Sequence, residues 1–212
     1  MYLPAFYRED RREVQFELIR THSLGLLISG GTDGLMANPV PFAAYPTEGS
    51  SGVLRAHVAR ANPQWQALAN GAECLVVFQG PHAYISPTWY PSKAETHRTV
   101  PTWNYATVHA WGRPVIHDDA GWLRRQIDDL TQAHEGSRPQ PWKVSDAPAD
   151  FVAAQLKAIV GIEIAVTRIE AKWKMSQNRN EADRRGVVAG LQAEGSSESA
   201  AVARFMDPGA QP

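Results

Sequence analysis

Residues 82–112 read HAYISPTWYPSKAETHRTVPTWNYATVHAWG, and this stretch decides the fold. It carries Trp89, Trp103 and Trp111, Tyr84, Tyr90 and Tyr105, and His82, His97 and His109. The apolar run Leu75-Val76-Val77-Phe78 leads into it. Tyr105-Ala106-Thr107-Val108-His109-Ala110-Trp111 leads out with the period-two alternation of a strand. Between the two lies a polar connection with Pro91, Lys93, His97, Arg98 and Pro101. The spacing predicts two strands, over 72–86 and 104–116, joined by a long loop with flat side chains at the strand ends. Rings beside an irregular loop either fill the core of a β protein or offer a surface on which another flat molecule stacks.

Upstream, Asp10 and Glu13 form a capping box for a helix over 10–21, with Val14, Leu18 and Ile19 in one apolar stripe. Strands follow at 24–29 and from Leu35, around a turn at Gly30-Gly31-Thr32-Asp33-Gly34. Pro39 and Pro41 bracket Val40 and confine that strand to an edge or a bend. A third strand at 53–58 puts Leu54, Ala56 and Val58 on one face, Arg55 and His57 on the other. Asn62 caps a short helix, with Pro63 at its first position and Trp65 and Leu68 facing inward. Downstream, Asp118 or Asp119 caps a helix with Leu123, Ile127 and Leu130 in register. A proline-rich connection over 135–149 and a helix at about 148–160 follow. Ile162, Ile164 and Val166 alternate in a last strand that reaches Trp173. Asn178 or Asn180 starts a final helix through Leu191. From Ala193 the chain is rich in Ser, Ala and Gly and is expected to be disordered. The expected organisation is one folded domain over 1–192 and a disordered tail over 193–212. Short hairpin-linked strands with helices at intervals predict a small closed or nearly closed barrel with helical decoration. No GxGxxG, P-loop or strand–helix–strand rhythm speaks for a doubly wound sheet.

The net charge of −1 over 212 residues argues against a general electrostatic pull toward nucleic acid or anionic membrane. Cys74 is the single cysteine, so an internal disulfide is impossible. Met1-Tyr2-Leu3-Pro4 opens no apolar signal segment, and no apolar run is long enough to span a bilayer. A soluble, cytoplasmic protein is expected. No H-x-x-x-H or C-x-x-C spacing occurs, so no metal site is expected.

Two segments could carry chemistry. Residues 55–65 run from a strand into a helix N-terminus, where free backbone N–H groups favour phosphate. There Arg60 can add a fork and His57 a donor; the plainer reading is a surface Arg and an Asn that only caps. Residues 172–179, Lys-Trp-Lys-Met-Ser-Gln-Asn-Arg, bring ammonium and amide groups that suit the edge of a heteroaromatic ring. The plainer reading there is a solvated strand end.

Five ordered motifs carry a resemblance: Met1-Tyr2-Leu3-Pro4; His57-Val58-Ala59-Arg60-Ala61-Asn62-Pro63-Gln64-Trp65; Ala83-Tyr84-Ile85-Ser86-Pro87-Thr88-Trp89-Tyr90; Val100-Pro101-Thr102-Trp103-Asn104-Tyr105; and Lys172-Trp173-Lys174-Met175-Ser176-Gln177-Asn178. Together, over residues 1 to 191, they resemble the PaiB family, described as FMN-binding negative transcriptional regulators. The resemblance implies an FMN-binding split β-barrel with peripheral helices, mainly β with α, a fold also used by pyridoxamine phosphate oxidases. It implies a homodimer with FMN at the subunit interface. It puts the phosphate on Arg60 and Asn62, with His57 as a third group. The ring falls near Asn38-Pro39-Val40 and against Trp103-Asn104-Tyr105, and Lys174, Gln177 and Asn178 contact its edge from the same or the partner subunit. Transcriptional regulation makes DNA a candidate partner. The alternatives are a flavin-dependent oxidoreductase, and a haem-handling protein with His57, His97 or His109 at the pocket.

Overall fold

The computed structural model describes residues 1–31 and 34–206. Its strands are β1 (Leu24–Gly31), β2 (Gly34–Pro41), β3 (Ala43–Tyr45), β4 (Val53–Ala59), β5 (Cys74–Ile85), β6 (Thr102–His117) and β7 (Ile159–Lys174). Its helices are α1 (Arg12–Thr21), α2 (Gln64–Ala69), α3 (Ser92–Thr96), α4 (Ala120–Glu135), α5 (Ala149–Lys157), α6 (Glu181–Glu194) and α7 (Ser197–Met206). The strands form one sheet in the order β2-β1-β5-β6-β7-β4-β3. Two compact units emerge. A terminal unit holds Met1–Leu18, Gln79–Val108 and the chain from Glu170; a hairpin unit holds Ile19–Phe78 and His109–Ile169.

In the hairpin unit, β1 and β2 pair antiparallel from Leu24↔Pro41 to Gly31↔Gly34. β2 ends the strand order, so Pro39 and Pro41, which have no N–H to give, sit on an edge strand as expected. Thr32 and Asp33 of the expected turn lie outside the described residues. β4 pairs with β7 from Val53↔Ala165 to Ala59↔Ile159. Leu54, Ala56, Ile162 and Ile164 are buried along this pair, while Arg55 and His57 alternate to a half-buried face. Asp119 caps α4, accepting from the Trp122 N–H at 2.7 Å. Asn62 accepts from the Gln64 N–H at 3.0 Å at the start of α2. Leu68 of α2 is buried as expected, but Trp65 is only half-buried, and the other fully buried residue of the helix is Gln64. Burial pushes the Cys74 thiol up to about 12, so it stays a protonated core group.

In the terminal unit, Asn180 caps α6 through the Asp183 N–H at 2.8 Å. The connection between β5 and β6 holds a 3-10 turn at Pro87–Trp89, then α3. Trp89 lies against α6 where Gly186 and Gly190 leave room. A Cβ on Gly186 would come within 2.0 Å of the Trp89 carbonyl oxygen, and one on Gly190 within 2.3 Å of the indole. The segment from Ala193, expected to be disordered, departs from that reading. Residues 197–206 form α7, with Val202, Ala203 and Met206 buried. Those three fall at i, i+1 and i+4, one face of a helix. Ser196 accepts from the Ser199 N–H at 2.9 Å at its start. Residues 207–212, the rest of the expected tail, lie outside the described residues.

Candidate functional site

The sequence-predicted site residues divide between the two units. His57, Arg60, Asn62 and Asn38 belong to the hairpin unit; Trp103, Asn104, Tyr105, Lys174, Gln177 and Asn178 belong to the terminal unit.

In the hairpin unit each of the four has an internal partner. Arg60 donates through Nε to the Lys157 carbonyl at 2.8 Å, through Nη2 to the Ile159 carbonyl at 3.0 Å, and through both Nη atoms to the Asp118 carboxylate. Its fork is therefore already closed on an anion, and the bond holds the Asp118 carboxyl below its ordinary range. The Asn62 side chain caps α2. His57 Nδ1 lies 2.7 Å from Gln126 Oε1. Asn38 donates to Gln64 Oε1 at 2.9 Å, and Gln64 Nε2 donates onward to the Leu27 carbonyl at 2.9 Å and Ser29 Oγ at 3.1 Å. Gln64 is the residue that sequence reasoning missed here. Its only signal was an amide next to an N-cap.

The terminal unit is different. Trp103 stands exposed on β6, with the rings of His82 and Tyr84 each 6.1 Å away. Lys174 donates through Nζ to Thr102 Oγ1 at 2.6 Å and to the Trp103 carbonyl. An ammonium has three donors, so one is left for a further acceptor. Burial, then Lys172 and Arg179, hold the Lys174 pKa below its ordinary value. Lys172, nearly buried, donates to the Tyr2 carbonyl at 3.1 Å and sits 5.4–5.8 Å from the ring centres of Tyr2, Tyr7 and Tyr105. The Arg179 guanidinium lies 4.7 Å over the Tyr90 ring. Among the described residues, no carboxylate forms an ion pair with Lys172, Lys174 or Arg179.

The turn after β7 is held from within. Asn104, fully buried, donates to Ser176 Oγ at 3.0 Å and accepts back from it at 3.2 Å. Ser176 takes a left-handed φ of 58° that a non-glycine residue adopts only when its surroundings fix it. Gln177 Oε1 accepts from the Met175 N–H at 2.7 Å. Asn178 Oδ1 accepts from the Tyr7 hydroxyl at 3.3 Å. Gln177 thus braces its own turn, while Lys174 reaches Thr102 and the Trp103 carbonyl and Asn178 the Tyr7 hydroxyl. Sequence reasoning put Lys172 and Arg179 in the candidate segment 172–179 but missed Tyr7 and Tyr90 as their neighbours. The Lys-Trp-Lys alternation was visible, but the tyrosines come from sequence-distant segments.

The antiparallel sheet with peripheral helices places the chain in the class of split β-barrels. Residues 1–168 match the family described as "Putative FMN-binding domain". The chain is 31% identical to the protease synthase and sporulation protein PAI 2 of Bacillus subtilis, over 98% of this chain and 97% of that protein. It is 35% identical to an uncharacterised protein of Emericella nidulans, over 97% and 96% of the two chains. Its fold is similar to that of an FAD- and heme-binding protein from Mycobacterium smegmatis, with a TM-score of 0.59 at 17% identity over 87% and 80% of the two chains. The chain belongs to the PaiB-type FMN-binding family. No helix among the described residues is long and apolar enough to cross a membrane.

Proposed function

We propose that this chain is an FMN-binding regulator of PaiB type, working as a cytoplasmic homodimer with the flavin at the subunit interface. The observation that supports the flavin reading best is the pairing of Trp103 with Lys174. An exposed indole offers a face for a planar ring, and the ammonium bonded to its carbonyl keeps one donor for the acceptor edge of that ring. When bound, FMN supplies electron or hydride transfer; the chain's own groups bind and orient it. Lys174 and Asn178 serve the edge, Trp103 and Tyr105 the face, and Asn104 positions the turn that carries Lys174 and Asn178. Gln177 braces that turn. His57, Arg60, Asn62 and Asn38 are the flavin-facing groups of the hairpin unit in this reading. Arg60 meets a phosphate only by giving up Asp118, so its share of the affinity is small.

The regulatory half of the reading rests on the PaiB resemblance, with DNA as its partner. It predicts an electrophoretic shift by the pure dimer at low salt; no shift would leave indirect regulation as the only route. The flavin half is tested by titrating FMN while recording flavin fluorescence. Wild-type protein quenches it. Trp103→Ala relieves the quenching, and Lys174→Met weakens affinity by about tenfold through loss of one charge-assisted bond. A colourless protein that leaves FMN fluorescence unchanged overturns the reading.

A further inference from the structure

Three cations, Lys172, Lys174 and Arg179, share one region of the terminal unit, and among the described residues none of them is ion-paired with a carboxylate. Each of Lys172 and Arg179 is near enough to depress the Lys174 pKa. The direct ion pair that a folded protein normally sets beside a buried cation is not formed there among the described residues. Tyrosine rings give partial compensation, at Tyr2, Tyr7 and Tyr105 around Lys172 and at Tyr90 under Arg179. They do not neutralise the charge.

A second observation is independent of the charges. Tyr90 is 2% exposed, and among the described residues its hydroxyl has no hydrogen-bond partner. A buried phenol left unpaired costs free energy that a ligand oxygen would recover. Tyr90 also lines a cleft of about 460 Å³, with Trp89, Pro91, Lys93 and His97 among its other walls. That volume is within the range of small-molecule sites. The cleft is shaped by fixed parts. Trp89 is seated on the two glycines of α6, and Asp183 accepts from the Ser92 N–H at 3.0 Å and its hydroxyl at 2.7 Å.

We propose that Lys172, Arg179 and the Tyr90 hydroxyl form a site for the anionic head of a small organic molecule other than FMN, a phosphate monoester or a carboxylate, whose body rests in the cleft beside Tyr90. Arg179 supplies the fork, Lys172 a point charge with two donors to spare, and Tyr90 the third contact. The aromatic walls favour a flat body. The site goes beyond the flavin reading and uses none of the residues assigned to FMN.

Calorimetric titration with phenyl phosphate and with benzoate tests it, on protein alone and on protein saturated with FMN. At least one probe binds in both states, and the preferred probe identifies the head group. Arg179→Met weakens that binding by about tenfold or more, and Tyr90→Phe, which removes only the hydroxyl, weakens it by a smaller factor. Circular dichroism melts of both variants establish that they fold. Two results overturn the proposal: binding of neither probe, or unchanged affinity in folded Arg179→Met. Loss of probe binding only in the FMN-saturated protein also overturns it, because the cluster is then the seat of the flavin's own phosphate. Failure to bind FMN in the parallel titration sinks the flavin reading alone and leaves the test on the unsaturated protein standing.

Discussion

Arg55 and Arg60 in the hairpin unit and the trio Lys172, Lys174 and Arg179 in the terminal unit are partnered in opposite ways. In the hairpin unit Arg55 is bonded to Glu163 at 2.7 Å and Glu48 at 2.6 Å, its guanidinium 4.2 Å over the Tyr45 ring, and Arg60 is closed on Asp118. Burial alone would lower the Arg55 pKa, but the two glutamates and Tyr45 outweigh it and raise it. In the terminal unit Lys172, Lys174 and Arg179 have rings and carbonyls around them and, among the described residues, no ion-paired carboxylate. The same residue types thus do structural work where they are matched and hold charge in reserve where they are not. Arg60, the better phosphate candidate by sequence, is thus one whose fork is already engaged by Asp118.

The sharpest way to break this contrast is to remove one cation from each unit. Arg55→Met leaves Glu48 and Glu163 without their partner, and unfolding free energy should fall by about 2–3 kcal/mol in a urea titration. Lys172→Met removes a nearly buried charge that has a single hydrogen bond. The ring contacts it loses are offset by the desolvation it no longer bears, so stability should stay within about 1 kcal/mol of wild type. A loss as large as that of Arg55→Met would mean that Lys172 is matched after all.

The smallest effect is in the pH dependence. Lys174 has its folded pKa below the ordinary 10.5, so between the two values the unfolded chain binds more protons. The stability of wild type relative to Lys174→Met should therefore rise with pH as it approaches 10.5. Asp118 has its folded pKa below the ordinary 3.8, so its contribution is present above that value and fades as pH falls through the folded one. Wild type relative to Arg60→Ala should lose ground only in that acid range. Denaturation midpoints measured across pH for the three proteins check both slopes; a slope of the same sign for the two pairs in their own windows is expected, and a flat line for either removes that group from the contrast.

Much of the fold was legible because local rules and packing agree. The alternation of Leu54, Ala56 and Val58 gave β4, and Pro39 and Pro41 gave the edge strand. Asp119, Asn62 and Asn180 sit at helix starts, where their side chains accept the first N–H groups. α7 was not legible, because Ser and Ala make up half of it and its chain neighbours are Gly- and Ser-rich, while its stability comes from the burial of Val202, Ala203 and Met206. The site was half legible. Lys172, Lys174 and Asn178 fall in one short segment, so their grouping is written in the chain. The closure of Arg60 on Asp118, 58 residues later, and the gathering of Tyr7, Tyr90 and Tyr105 depend on tertiary contacts that periodicity does not report.

The seat of Trp89 on Gly186 and Gly190 has a consequence for the order of assembly. Each glycine makes an isolated α6 less helical by about 1 kcal/mol relative to alanine. The helix that Asn180 begins is therefore weak until the indole arrives to fill the notch. The loop that walls the proposed cleft and the helix beneath it must then consolidate together, so a chain that misplaces Trp89 during folding would lack a finished α6 as well.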